Sequence, residues 1–161
     1  MNNKTIENLM EGFAGESQAS RKYSIYAKKA EAEGYVNAAK LFKAAALAEE
    51  IHAQRHFEVA GKLGSTKENL QDAVNGETYE FEEMYPEFIK EAEGNDKAIQ
   101  SFTYAMEAEK VHAKLYKEAL ENLEDKEEVF YYLCPVCGNI EKFVPEKCSI
   151  CNVSGDKFIK F

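Results

Sequence analysis

The sequence predicts a mainly helical protein, an antiparallel four-helix bundle followed by a small β module that carries all four cysteines. Over four long stretches, apolar residues recur at alternating steps of three and four, which is the period of a helix with one buried face. Residues 32–56 and 92–116 share ten identical positions, which indicates a duplicated helical hairpin. After residue 128 the composition changes to short aromatic segments and Cys-x-x-Cys pairs, which favour small strands over helix.

The bundle is predicted to occupy residues 1–128. Its four helical stretches cover residues 4–33, 36–60, 66–93 and 97–123. Gly34 and Gly94 end the first and third stretches, and Ser65 with Glu68 forms a capping-box pattern that begins the third. Pro86 cannot donate a backbone hydrogen bond, so a kink or a local loosening is expected in the third stretch. The short connections make neighbouring helices antiparallel.

Residues 129–161 are predicted to form a separate module with three short strands, at 130–133, 140–144 and 158–161. So few residues cannot build a self-sufficient core, so a bound metal must hold the module together. The cysteine spacing C-x2-C-x10-C-x2-C is a strong signal for a tetrahedral four-thiolate site. The four residues are Cys134, Cys137, Cys148 and Cys151. The spacing alone leaves zinc and iron open.

The overall composition excludes several classes of partner. A formal net charge of −9 argues against nucleic acid and against anionic membranes. No apolar run approaches the roughly 20 residues that a membrane span needs, and the amino-terminal residues lack the plan of a signal peptide. We therefore expect a cytoplasmic protein, in which clustered cysteines indicate a metal site rather than disulfides.

A Glu-x-x-His pair interrupts the apolar stripe of the second helix and recurs sixty residues later in the fourth. The pairs are Glu49 with His52 and Glu109 with His112. In a helix, residues three apart are neighbours on one face, so both side chains of a pair point toward the core. A lone inward Glu or His is usually a hydrogen-bonded core residue. Two copies at matching positions favour metal ligands instead.

Three further carboxylates fall on inward stripes, Glu16 in the first helix and Glu77 and Glu80 in the third. Five inward carboxylates with no Lys or Arg on the same stripes would be very costly to bury. Two divalent cations would offset most of that charge, and carboxylates with one imidazole per metal suit iron or manganese. Two Glu-x-x-His motifs plus a Glu from each remaining helix match the known ligand pattern of ferritin-like di-metal proteins. The additional carboxylate suggests a metal that exchanges ligands when its charge changes.

Together these motifs resemble the rubrerythrin family over nearly the whole chain. The resemblance depends on Phe13-Ala14-Gly15-Glu16-Ser17-Gln18-Ala19, both Glu-x-x-His pairs, Gly76-Glu77-Thr78-Tyr79-Glu80, Glu83-Met84-Tyr85-Pro86 and the Cys-Pro-x-Cys-Gly sequence. It implies a ferritin-like bundle followed by a rubredoxin-like module. The second cysteine pair departs from the usual rubredoxin form at Ser149 and Asn152, which bears on the reduction potential of the tail iron.

The resemblance implies two irons in the bundle and a third iron in the tail. Glu49 and Glu109 would bridge the first two. One of them would be completed by Glu16 and by either Glu77 or His52, according to oxidation state, and the other by Glu80 and His112. The third iron would bind the four cysteines.

The family has two tyrosines near its di-iron site, and these match Tyr23 and Tyr85. Plain packing on the inner helix faces is the alternative for both. The resemblance thus makes His52, Glu77, Tyr23 and Tyr85 the candidates for direct roles in catalysis.

The function implied is a peroxidase that reduces hydrogen peroxide to water in the oxidative-stress defence of an anaerobe or microaerophile. Electrons would reach the tail iron from rubredoxin or an NAD(P)H-dependent reductase. We expect a homodimer, in which residues 61–66 could act as a hinge if helix pairs are exchanged. The alternatives are a ferroxidase or iron-storage protein, a zinc-ribbon interaction module on a structural bundle, and a dioxygen-dependent oxidase.

Overall fold

A computed structural model describes all 161 residues and divides them into two compact units, Met1–Gly64 and Ser65–Phe161. None of the helices combines the length and the apolar character that crossing a membrane requires.

The first unit is a hairpin of two long helices, α1 (Asn3–Ala32) and α2 (Val36–Val59). Both lie within one residue of the predicted bounds. The turn between them passes through Gly34 at a φ of +83°, a conformation that favours glycine. The buried apolar residues of this unit are all alanines, and the last four are spaced by seven along α2 and its C-terminal end. They are Ala27, Ala30, Ala39, Ala46, Ala53 and Ala60.

The second unit begins with a helical stretch in three parts, α3 (Thr66–Tyr79), a π-helical segment (Glu80–Met84) and α4 (Tyr85–Glu91). The predicted capping box is present, since Ser65 and Glu68 each bond the other's backbone N–H. Beside Pro86, where a kink or a local loosening was expected, the helix widens. The Tyr85 N–H donates to the Glu80 carbonyl five residues earlier, which is the π-helical pattern.

The long helix α5 (Asp96–Glu121) leads to a three-stranded antiparallel sheet of order β2-β1-β3. The strands are β1 (Tyr132–Leu133), β2 (Ile140–Glu141) and β3 (Ile159–Lys160). They are shorter than predicted because the cysteine loops and a 3-10 turn at Gly155–Lys157 take up the intervening residues. The fully buried side chains of this module are Cys134, Asn139 and Cys148, so it has no apolar core of its own.

Candidate metal centres

In the first unit, α1 supplies Glu16 and α2 supplies Glu49 and His52 to one cluster. One potential ligand atom from each lies within 4.8 Å of the other two. His52 Nδ1 is 3.0 Å from a Glu49 carboxylate oxygen. The sequence predicts that this face points inward, yet 57% of the His52 side chain is exposed. A two-helix hairpin covers only one side of each helix, which leaves room at this cluster for further ligands.

The second unit contains the matching cluster, with Glu77 from α3 and Glu109 and His112 from α5. Their ligand atoms also lie within 4.8 Å of one another. His112 Nδ1 is within hydrogen-bonding distance of Glu109, and only 16% of the His112 side chain is exposed. The duplicated hairpin inferred from the sequence therefore produces two similar triads, each of two carboxylates and one imidazole.

The other ring nitrogen of His112 connects this triad to the four-cysteine module. Nε2 lies 2.9 Å from the backbone carbonyl of Gly138, which directly follows Cys137. Because a carbonyl can only accept, the hydrogen must be on Nε2. In the neutral imidazole the Nδ1 lone pair then faces the carboxylates, which is the arrangement that a metal ligand needs.

Burial and their mutual proximity shift the pKa values of the two carboxylates in the second triad. Burial, together with the nearby Glu109 carboxylate, raises the pKa of Glu77 to about 7. For Glu109, burial opposes ionisation, but hydrogen bonds from Glu77 and from the Nδ1 atom of His112 in its protonated form outweigh it and lower its pKa. Two carboxylates this close cannot both ionise without compensation. The donor set therefore fits a cation that would replace the shared proton.

The raised pKa of Glu77 predicts the pH dependence of metal binding. Because Glu77 binds its proton more tightly when folded, its contribution to metal-free stability is complete below pH 4.5 and is lost as pH rises through about 7. A metal must displace that proton, so Glu77 alone should lower the affinity by up to about tenfold per pH unit below pH 7. Competition with a chelator across this range measures the effect. In Glu77→Gln the slope should flatten, and an unchanged slope would contradict the assignment.

The π-helical segment explains why the spacing between the glutamate and the tyrosine is one residue longer in the second unit than in the first. Glu16 precedes Tyr23 by seven residues, which is two turns of α-helix, whereas Glu77 precedes Tyr85 by eight. A π turn accommodates one additional residue, so Glu77 and Tyr85 again share a helix face.

Glu80 lies at the start of the π segment and outside both triads. Its pKa is raised by burial and then by the charge of Glu109, which places it beside the second triad. It has no equivalent in the first unit. The structure thus leaves Glu80 available as a ligand without including it in the cluster.

Tyr23 and Tyr85 have equivalent aromatic surroundings in their own units. The Tyr23 ring is 6.1 Å from Phe42, and the Tyr85 ring is 6.3 Å from Phe102, the residue sixty positions later. Burial raises the pKa of Tyr85, as do the charges of the nearby carboxylates. Its hydroxyl therefore lies close to the second triad, while the contacts of Tyr23 are those of aromatic packing.

The four cysteines form the third cluster, with all sulfur atoms within 4.8 Å of one another. The Sγ atoms of Cys134 and Cys151 are 3.5 Å apart, as are the Sγ atoms of Cys137 and Cys148. This is far longer than a disulfide bond of about 2.05 Å and close to the edge, about 3.8 Å, of a tetrahedron with 2.3 Å metal–sulfur bonds.

The two cysteine loops repeat one backbone conformation. Gly138 and Asn152 both have positive φ, +82° and +61°. Each N–H donates over 3.0 Å to the carbonyl of the first cysteine of its loop. Asn152, unusual for a rubredoxin, is accommodated because asparagine tolerates the left-handed region better than most residues.

The fold and the donor sets define a ferritin-like di-iron bundle protein with a rubredoxin-like module. A family model described as Rubrerythrin matches residues 7–120. The chain belongs to the rubrerythrin family, an oxidoreductase family with a di-iron centre and a four-cysteine iron site.

Known proteins resemble the chain over nearly its full length. Rubrerythrin-2 of Clostridium acetobutylicum is 39% identical, with 99% of this chain and 98% of that protein covered. Nigerythrin of Nitratidesulfovibrio vulgaris is 38% identical over 98% of this chain and 86% of its own length. A structure of fully reduced, all-ferrous nigerythrin gives a TM-score of 0.60 at 38% identity, with 98% and 86% of the two chains covered.

Sequence reasoning missed three residues around these sites. Gly138 receives the His112 hydrogen bond, which no periodicity could indicate. Tyr116 has a pKa raised by burial and by the charges of Glu77 and Glu109, and its place four residues after His112 on the same stripe was an available signal. Asn139, fully buried beside the cysteines, carried no motif at all.

Proposed function

We propose that this protein is a di-iron peroxidase that reduces hydrogen peroxide to water and receives electrons through its four-cysteine iron. The 2.9 Å hydrogen bond between His112 and Gly138 supports this proposal most directly. It gives the carboxylate triad of the second unit a short route to the cysteine loop. A ferroxidase or storage protein has no use for that link or for a four-thiolate site.

The proposed ligand set follows the family resemblance and the two triads. Glu49 and Glu109 would each hold both bundle irons, with Glu16, His52, Glu77, Glu80 and His112 completing the set, and the four cysteines would hold the third iron. Functionally, residues 1–128 form the di-iron bundle and residues 129–161 the electron-transfer module.

The difference between the two histidines supports a redox-linked ligand exchange in which Glu77 and His52 alternate on one iron. His112 is 16% exposed and is held on both ring nitrogens. His52 is 57% exposed. A loosely held imidazole can move at small cost, and Glu77, whose pKa is raised to about 7, is the carboxylate most easily neutralised when it leaves the metal.

Reduction of one hydrogen peroxide to two waters consumes two electrons and two protons. A bound pair of ferrous ions would supply the two electrons. Glu77 is suited to take up and deliver a proton once it has left the metal, because burial raises its pKa to about 7 in the metal-free site. Tyr85, whose raised pKa keeps the hydroxyl protonated, is suited to donate a hydrogen bond beside the triad.

We further propose a cytoplasmic homodimer, with or without exchange of helix pairs. The Met1–Gly64 unit carries one triad and the Ser65–Phe161 unit the other, so the two required triads can come from one subunit or from two. Rubredoxin or an NAD(P)H-dependent reductase would supply single electrons to the tail iron. A monomer in solution that retained full turnover would contradict the dimer.

Stopped-flow spectroscopy of the anaerobically reduced protein tests the activity. About two equivalents of hydrogen peroxide per chain, which can accept the three electrons of the fully reduced protein, should reoxidise the two bundle irons and the tail iron, and much faster than dioxygen at equal concentration. Faster reaction with dioxygen would favour an oxidase, and a large hollow assembly that accumulates ferric iron would favour storage. A colourless, zinc-loaded protein would support the interaction-module alternative.

A further inference from the structure

Asn139 is the one buried polar residue of the cysteine module apart from its cysteines. None of its surface is exposed, and its Oδ1 atom has no hydrogen-bond partner. A buried amide oxygen without a partner costs about 1–3 kcal/mol. Because the unpaired oxygen is destabilising, we infer that the NH₂ group of the same amide makes interactions that offset this cost.

The NH₂ group of Asn139 faces three acceptors. Nδ2 lies 2.9 Å from a Glu141 carboxylate oxygen, 3.4 Å from Ser149 Oγ and 3.9 Å from Cys148 Sγ. Ser149 Oγ itself lies 3.3 Å from the same Glu141 oxygen, to which it donates.

Glu141 fixes which way the amide points. An ionised carboxylate only accepts hydrogen bonds, so a flipped amide would place Oδ1 against a negative oxygen. With one N–H on Glu141, the planar group directs its second N–H toward Cys148 Sγ and Ser149 Oγ. The side chain thus reaches from the first cysteine loop to a sulfur of the second.

The backbone of Asn139 serves the same cluster. Its N–H donates to Cys137 Sγ, and its carbonyl accepts from the Cys134 N–H over 2.8 Å. One residue therefore offers hydrogen bonds to two of the four sulfurs, one from the backbone and one from the side chain.

Hydrogen bonds to thiolate sulfur change the reduction potential of a bound iron. The ferrous four-thiolate site carries one more negative charge than the ferric site, so a donor to sulfur stabilises the ferrous form more. We propose that the Asn139 side chain, oriented by Glu141, is a positioning residue that raises the reduction potential of the tail iron through Cys148. The inference is independent of which substrate the bundle reduces.

Asn139→Leu tests the proposal because leucine keeps the number and branching of the side-chain heavy atoms and lacks the amide. Equilibration of the iron-loaded protein with a redox dye should show the ferrous form disfavoured by about tenfold, equal to about 59 mV for one electron. The iron content and the visible spectrum of the tail should stay those of a four-thiolate site. A potential equal to that of the wild type would overturn the proposal.

Ser149→Ala is the matched control. It removes a hydroxyl that contacts both Asn139 and Glu141 but leaves the amide free to face Cys148. Its potential should not fall. An equal fall in both variants would mean that general packing, and not the amide donor, sets the potential.

A measurement on the unaltered sequence covers the case in which Asn139→Leu fails to fold. In full-length protein with a spin-active cadmium isotope in the cysteine site, a hydrogen bond to a ligating sulfur transmits scalar coupling from the metal to the donor hydrogen. One side-chain NH₂ hydrogen of Asn139 should show this coupling. Its absence, with coupling to the Asn139 backbone N–H present, would overturn the proposal.

Discussion

Gly155→Ala is expected to abolish iron binding by the four-cysteine module. A Cβ atom at this position would lie 1.7 Å from the Pro145 carbonyl oxygen and 2.9 Å from its carbon. Both atoms belong to the backbone, and the Gly155 N–H is bonded to the neighbouring Glu146 carbonyl over 2.9 Å. The backbone segments that contain Pro145 and Gly155 must therefore move apart. Overpacking commonly costs about 1–3 kcal/mol and occasionally more, and a module without an apolar core cannot absorb that cost.

Metal analysis and the visible spectrum measure this effect. The variant should lose the absorption of the ferric four-thiolate site and retain the two bundle irons and the helical circular dichroism signal. Gly76→Ala is the control, because nothing lies within 4 Å of a Cβ at that helical position. It should keep the tail iron and gain about 1 kcal/mol of stability from the higher helix propensity of alanine. Full tail iron in Gly155→Ala would show that the close approach is relieved at little cost.

Glu109→Gln is expected to empty the di-iron centre while the tail iron remains. Glu109 contacts both Glu77 and His112, so it is the shared member of the second triad. Glutamine keeps the shape but removes the negative charge and one strong metal-binding oxygen. Since Glu109 is the proposed bridge, the loss affects both irons at once. Iron content should fall from three per chain to about one.

Glu107→Gln, on the same helix, is the matched control for this substitution. Its carboxylate pairs with Lys110 over 2.6 Å at the surface, where ion pairs contribute little. It should retain all three irons. By contrast, Glu77→Gln should slow peroxide turnover more than it lowers iron content. If Glu109→Gln kept two irons in the bundle, Glu109 would not be the bridge.

Periodicity was sufficient to predict the helices. The six residues of the two triads are among the seven that the apolar stripes placed on inward faces, and their role as metal ligands stays a prediction. The Glu-x-x-His pairs interrupt strong apolar stripes, and the stripes fixed which carboxylates share their face. Helix ends agreed within one or two residues because glycine and capping residues determine them locally. The four-cysteine cluster was equally predictable, since its spacing alone specifies the geometry.

Features set by tertiary packing could not be predicted in this way. Pro86 indicated a disturbed helix, but not that Glu80–Met84 would form a π-helical segment. The aromatic segments of the tail predicted strands of four or five residues, whereas each observed strand has two. The strands are shorter because the cysteine loops include some of the same residues. The contact of His112 with Gly138 joins residues 26 positions apart, and no local pattern encodes it. Whether the two triads combine into one centre stays a prediction.

The small sheet of two-residue strands bears on how fast the protein is degraded in a cell. With cysteines and one asparagine as its buried side chains, the segment after residue 128 depends on its metal for order. A chain made during iron starvation would carry this segment as a frayed extension open to proteases. The rate at which the protein is degraded would then depend on the iron supply. Chains with a complete electron-transfer module would be degraded most slowly.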